Sequence, residues 1–187
     1  MTAKTLRKWG VKEVFIPGLL IAGILGFSLT NIGINIYKNK TLFPTNAVVQ
    51  TVIDGDTLET KNGVRIRLIG INSPDRGDKG YEDARGRLGE MVINKKIWLE
   101  YDRYQDDKNG RILAWVWINC EENPKFTPAD YMHLTYNQSK PGLMNNPDGC
   151  KKGKLVQEEL VNSGKATINV YKDRGELKYV RRLEIRN

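Results

Sequence analysis

Between Val14 and Tyr37 the chain runs for 24 residues without a charged side chain, VFIPGLLIAGILGFSLTNIGINIY. As a helix rising ~1.5 Å per residue, such a run extends ~36 Å, more than the ~30 Å hydrocarbon core of a bilayer. Trp9 and Tyr37 bracket it as interfacial aromatics do, and Lys38 and Lys40 close its far side. A buried soluble helix rarely carries so long an uncharged run. A cleaved signal peptide has a shorter apolar core, ~7–15 residues, followed by a small-x-small site. Residues 14–37 are therefore expected to form one transmembrane helix. Residues 1–13 carry four basic side chains and one acid, Glu13, so the N-terminus is expected on the cytoplasmic or matrix side. The bulk of the chain then lies on the opposite side. Lys4, Arg7, Lys8 and Lys12 also suit an N-terminal mitochondrial signal anchor, and the inner mitochondrial membrane is the first location expected. Gly18, Ala22, Gly26 and Thr30 recur every fourth residue and share a helix face. Such a face admits a helix of another membrane-protein subunit, although glycine is also simply common in membrane helices.

The remainder of the 187 residues allows one domain. The single histidine, His133, excludes any mechanism needing two imidazoles, and it reads most simply as a polar surface residue. Two cysteines make neither a disulfide framework nor a zinc cluster. After a polar linker, residues 38–46, come strand-like runs at 47–53, 56–60 and 64–71, separated by the turn residues DG and KNG. Residues 82–95 space Ala84, Leu88, Met91 and Val92 as a helix does. Residues 97–102 and 112–119 read as strands. Trp98, Trp115 and Trp117 lie in them and belong to core or rim. Residues 155–164 read as a helix capped by Gly164, residues 166–171 as a short extended piece, and the last dozen as a short basic helix. Meander, helix, hairpin, helix is the order of an α+β, mainly β fold: a five-stranded OB-type barrel with helices at its rim.

Four phrases stand in order: VIDGDTL (52–58), RIRLIGINSPD (65–75), DKNGR (107–111) and LVQEELVNSGKA (155–166). Together they closely resemble the staphylococcal nuclease, or thermonuclease-like, family, over roughly residues 47–171 within a domain reaching 187. The resemblance implies calcium-dependent cleavage of nucleic-acid phosphodiesters. Carboxylates hold a hard cation through oxygen, arginines meet the charge growing on the phosphate, and a carboxylate activates water. By position, Asp56 takes the place of a calcium-ligating aspartate, and Arg67 and Arg111 those of two phosphate-clamping arginines. Lys108 takes that of a phosphate-contacting lysine. Ser73 stands where a threonine carbonyl ligates the metal, and Tyr171 where a tyrosine stacks on the nucleotide. The departures fall in the same site. The second calcium aspartate is Asn72, the candidate base glutamate is Asp75, the tyrosine beside the lysine is Asn109, and Asn169 lies near the other stacking position.

The family pattern is interrupted by an insertion at 120–152, which leaves the barrel at Cys120 and returns at Cys150. Its ends should therefore lie close, and a disulfide there would restrict the unfolded chain by ~3.5 kcal/mol. Two free thiols are the alternative. Residues 38–187 hold 26 basic and 21 acidic side chains, a weak preference for anionic partners. Three functions compete. The altered site and the small-residue stripe favour a non-catalytic accessory subunit of a membrane complex, with no cofactor. Asp56 and the arginine pair favour an active membrane-tethered nuclease that uses Ca2+ on DNA or RNA. A nucleic-acid-binding barrel without catalysis is disfavoured by the depleted stacking aromatics.

Overall fold

Five strands pair edge to edge until the last meets the first. The computed structural model describes residues 20–32, 43–133, 140, 142–169 and 177–186, in two units, Met1–Phe43 and Pro44–Asn187. In the second unit, β1 (Asn46–Asp54), β2 (Thr57–Thr60) and β3 (Arg65–Leu68) form an antiparallel meander. β4 (Ile71–Asn72) and helix α2 (Tyr81–Val92) follow, then β5 (Lys96–Glu100) and β6 (Ile112–Ile118). β5 pairs antiparallel with both β1 and β6, and β6 closes the barrel by pairing parallel with β3. β7 (Lys154–Leu155) extends the sheet beside β6, and α3 (Val156–Asn162) follows it directly. β8 (Thr167–Ile168) pairs with β4, and α4 (Val180–Arg186) ends the chain. The expected five-stranded barrel with helices is present.

The core follows from the strand pattern. Val49, Val52, Leu58, Ile66, Leu68, Ile97 and Leu99 turn inward, and every residue of β6 is buried. β6 is apolar throughout because helix α3 covers it. There the fully buried Gln157 accepts a hydrogen bond from Val116 N (3.1 Å) and donates one to Ala114 O (2.9 Å). Its amide replaces the backbone partners that an adjacent strand would provide. Trp115 and Trp117 are core residues, and their indole N–H groups reach Asp102 and Glu100 at 2.8 and 3.1 Å.

Three expected elements differ in extent. The run 64–71 is not one strand, because Gly70 adopts φ +81° and divides it into β3 and β4. A Cβ at Gly70 would lie 2.6 Å from Trp115 Cη2, so both backbone and packing require glycine there. The helix expected at 82–95 ends at Val92. The C-terminal basic helix spans only Val180–Arg186, and Arg182 within it is buried.

In the first unit, residues 20–32 form helix α1, whose apolar side chains, Phe27 among them, are exposed. Among the described residues no helix is long and apolar enough to cross a membrane; of the expected span 14–37, residues 20–32 are helical and the others lie outside the described residues. Ala22, Gly26 and Thr30 lie on α1 and are exposed, and a Cβ on Gly26 would meet nothing within 4 Å. Gly18, Trp9, Tyr37, the basic flank 1–13, most of the linker, Tyr171 and the His133 side chain lie outside the described residues.

Candidate functional site

The turn between β1 and β2 starts the site. Asp54 Oδ1 accepts a hydrogen bond from Asp56 N at 3.1 Å, a side-chain closure that aspartate makes readily in tight turns. A Cβ on Gly55 would lie 2.6 Å from Ser73 Cβ and 2.7 Å from Ala84 Cβ. Glycine thus lets the turn press against the loop after β4 and against α2, which brings Asp56 to Ser73. Asp56 Oδ2 accepts from Ser73 N at 2.7 Å and Ser73 Oγ at 3.0 Å.

Strand register adds the arginines. Thr57 on β2 faces Arg67 on β3, and Arg67 faces Leu113 on β6, with Arg111 just before that strand. Arg67 Nη1 lies 2.6 Å from Asp56 Oδ1 and donates to Leu68 O at 3.3 Å. Its Nη2 donates to Asn72 Oδ1. Arg111 Nε lies 2.7 Å from Asp107 Oδ2, while Asp107 Oδ1 accepts from Asn109 N (2.8 Å) and Arg111 N (3.1 Å). The DKNGR phrase is therefore a turn that clamps its own arginine. Thr57 Oγ1 joins the two halves, donating to Asp56 Oδ1 at 3.2 Å and accepting from Arg111 Nη1 at 3.5 Å.

Burial raises the Asp56 carboxyl above its ordinary value, against the opposing pull of Arg67 and the Ser73 N–H. Burial also acts upward on Asp107, but the hydrogen bonds from Arg111 and Asn109 outweigh it and hold this carboxyl below its ordinary value.

The structure thus brings together Asp56, Arg67, Asn72, Ser73 and Arg111. Lys108 and Asp75 are exposed, and no hydrogen bond or ion pair joins the Asp75 side chain to another described residue. Thr57 and Asp107 were not among the residues expected from sequence. The signal was present, since each adjoins an expected residue within a quoted phrase, but a hydroxyl's bridging role depends on strand pairing.

The residues present do not fit a calcium ion as they stand. Such an ion takes 6–8 oxygens and binds more tightly as carboxylates accumulate. Here Asp56 is paired with Arg67, the Asn72 oxygen is given to the same guanidinium, and no group of three His, Cys, Asp or Glu among the described residues could hold a metal. Cys120 and Cys150, at the ends of the insertion, are joined as a disulfide.

A family model described as staphylococcal nuclease homologue matches residues 65–185. A thermonuclease of Staphylococcus intermedius is 39% identical over 83 residues, which are 40% of this chain and 49% of that protein. Protein ParB of Escherichia coli is 37% identical over 76 residues, 39% of this chain and 42% of ParB. An uncharacterized endonuclease of Escherichia coli is 29% identical over 114 residues, 56% of this chain and 73% of the relative. The chain therefore spans less than half the length of the first two relatives.

Proposed function

The chain belongs to the staphylococcal nuclease homologue family, and from that premise we propose that its barrel is a nuclease domain receiving a phosphodiester of DNA or RNA between Arg67 and Arg111. The observation that carries this reading is the Thr57 hydroxyl, in contact with both the Asp56 carboxylate and Arg111. It makes one array of two arginines that come from different segments, Arg67 on β3 and Arg111 in the turn before β6. Guanidinium groups fixed in this way meet charge as it grows on the phosphoryl oxygens, with no reorganisation needed during the reaction. Asp75, on the loop after β4, is the free carboxylate that would accept a proton from the attacking water. Residues 14–37 tether the domain to a membrane, with residues 44–187 on the side opposite the N-terminus.

A second reading, a non-catalytic subunit of a membrane complex, is favoured by one observation. Asn72 supplies a neutral amide that is closed onto Arg67. In that reading the Ala22, Gly26 and Thr30 face of α1 receives a partner helix.

The full chain in detergent, given a labelled single-stranded oligonucleotide, separates the two. The nuclease reading expects cleavage that falls by at least ~10²-fold in Arg67→Ala, the scale of removing one charge-stabilising donor. An intact oligonucleotide, with the chain migrating inside a large assembly that Ala22→Leu releases, establishes the subunit reading.

A further inference from the structure

We infer that Asn72 is a specificity-determining residue which makes phosphodiester, and not a divalent cation, the ligand that opens this site. The inference rests on the arginine array of the proposed function and deepens it. Arg67 is buried and, besides the main-chain carbonyls of Asp56 and Leu68, has two side-chain oxygen partners of different kinds, the Asp56 carboxylate and the Asn72 amide. A carboxylate at position 72 would place two negative charges against one arginine, leaving one negative charge in excess to attract a cation. With Asn72 the charges of Asp56 and Arg67 balance within this trio. Asp56, the carboxylate that Asn72 adjoins through Arg67, is already paired, so a cation reaching it has to separate Asp56 from Arg67. Asp54 in the neighbouring turn is the one carboxylate beside it without an arginine partner among the described residues.

An anion faces a different balance. An ionised acceptor is held by a guanidinium more strongly than a neutral amide is, because Coulomb attraction between full charges adds to the hydrogen bond. A phosphodiester oxygen can therefore displace the Asn72 amide from Nη2 without disturbing the Asp56 ion pair at Nη1. Asn72 is exposed, so its displaced amide turns into water and no polar group is left buried. Arg111 is ready on the other side. Asp107 takes its Nε, and among the described residues the Nη edge has one long contact, to Thr57. The ligand is then a single-stranded nucleic-acid backbone bound at one phosphodiester, and binding requires no metal ion.

The test measures binding, not turnover, by fluorescence anisotropy of a labelled oligonucleotide with the full chain in detergent. Affinity is read at one ionic strength, in excess chelator and in millimolar calcium. The unaltered chain is expected to bind equally in both. Asn72→Asp is expected to bind about tenfold more weakly in chelator, the effect of one added charge beside the ligand, and to recover in calcium. Asn72→Ala removes the competing amide without adding charge, and is expected to bind at least as tightly as the unaltered chain. Circular dichroism checks that both variants fold.

Calcium-dependent binding by the unaltered chain would overturn the inference while leaving the arginine reading intact. Failure of Asn72→Asp to become calcium-dependent would also overturn it. No binding in either condition would remove the arginine reading itself. Inorganic phosphate is added as competitor, and displacement at concentrations far below those at which it binds guanidinium groups in general would identify free phosphate, not a strand, as the ligand.

Discussion

Lys178 Nζ lies 3.1 Å from Glu100 Oε1, and neither side chain has any solvent exposure. The ammonium also donates to Tyr101 O at 2.7 Å and Thr127 O at 2.9 Å, so all three of its hydrogens are used. Glu100 is equally occupied, accepting from Trp117 Nε1, Tyr179 Oη and Thr127 Oγ1. One buried pair thus ties together β5, β6, the insertion and the segment leading into α4. Next to it, Arg182 makes two bonds to Glu158 on α3 and one to Asn146, whose amide holds Cys150 O and Gly153 O.

Lys178→Met should cost ~3–5 kcal/mol, because it leaves the Glu100 carboxylate buried without a cation. Denaturant unfolding measures it. Adding Glu100→Gln should return part of the loss, since the remaining group is then neutral. A single variant that unfolds within ~1 kcal/mol of the unaltered chain would mean the pair does not hold the C-terminal segment.

Gly70→Ala should destabilise the barrel by about 2 kcal/mol or more. The left-handed backbone alone costs ~1–3 kcal/mol for a residue with a side chain, and the added carbon meets the Trp115 ring. Near-ultraviolet circular dichroism should lose tryptophan signal as that ring shifts. Gly63, which also has positive φ but has nothing within 4 Å of a built Cβ, should tolerate alanine better.

Reduction of the Cys120–Cys150 bond frees a loop with ends 30 positions apart, and should cost ~3–4 kcal/mol. A Cys120→Ser, Cys150→Ser chain should show the same loss and become insensitive to reductant. Alkylation of both thiols in the native, unreduced protein would contradict the bond.

Asp107 gives stability a pH dependence of defined sign. Its folded carboxyl titrates below its ordinary value of 3.8, so its contribution is complete above that value and is lost as pH falls through the folded value. Asp107→Asn should therefore unfold more easily than the unaltered chain at neutral pH, and the gap should close in acid. The same variant should bind oligonucleotide more weakly, because Arg111 loses the partner that fixes its Nε. Urea titrations across pH and anisotropy at pH 7 read the two effects separately.

Much of this was legible in the linear chain, for a local reason. Strand alternation, DG and KNG turns, the helical spacing at Ala84 and Leu88, and Gly164, found at φ +66°, each depend on residues within a few positions of one another. Four ordered phrases also single out Asp56, Arg67 and Arg111. Local sequence makes 64–71 a continuous strand, because what forbids a side chain at Gly70 is the Trp115 ring, 45 positions further on.

The sequence by itself therefore determined the barrel, its helices and the residue types of the site. The tertiary structure decided which of those residues satisfy one another. Asn72 could have faced a cation or an arginine, and only the approach of β4 to β3 directs its oxygen to Arg67. Lys178 reads as one cation of a basic tail, KYVRRLEIR, and nothing near it in sequence suggests burial. Its acceptors come from Glu100, Tyr101 and Thr127, between 51 and 78 positions away. A charged side chain is stable without water only where enough acceptors converge on it, and that convergence belongs to the folded chain.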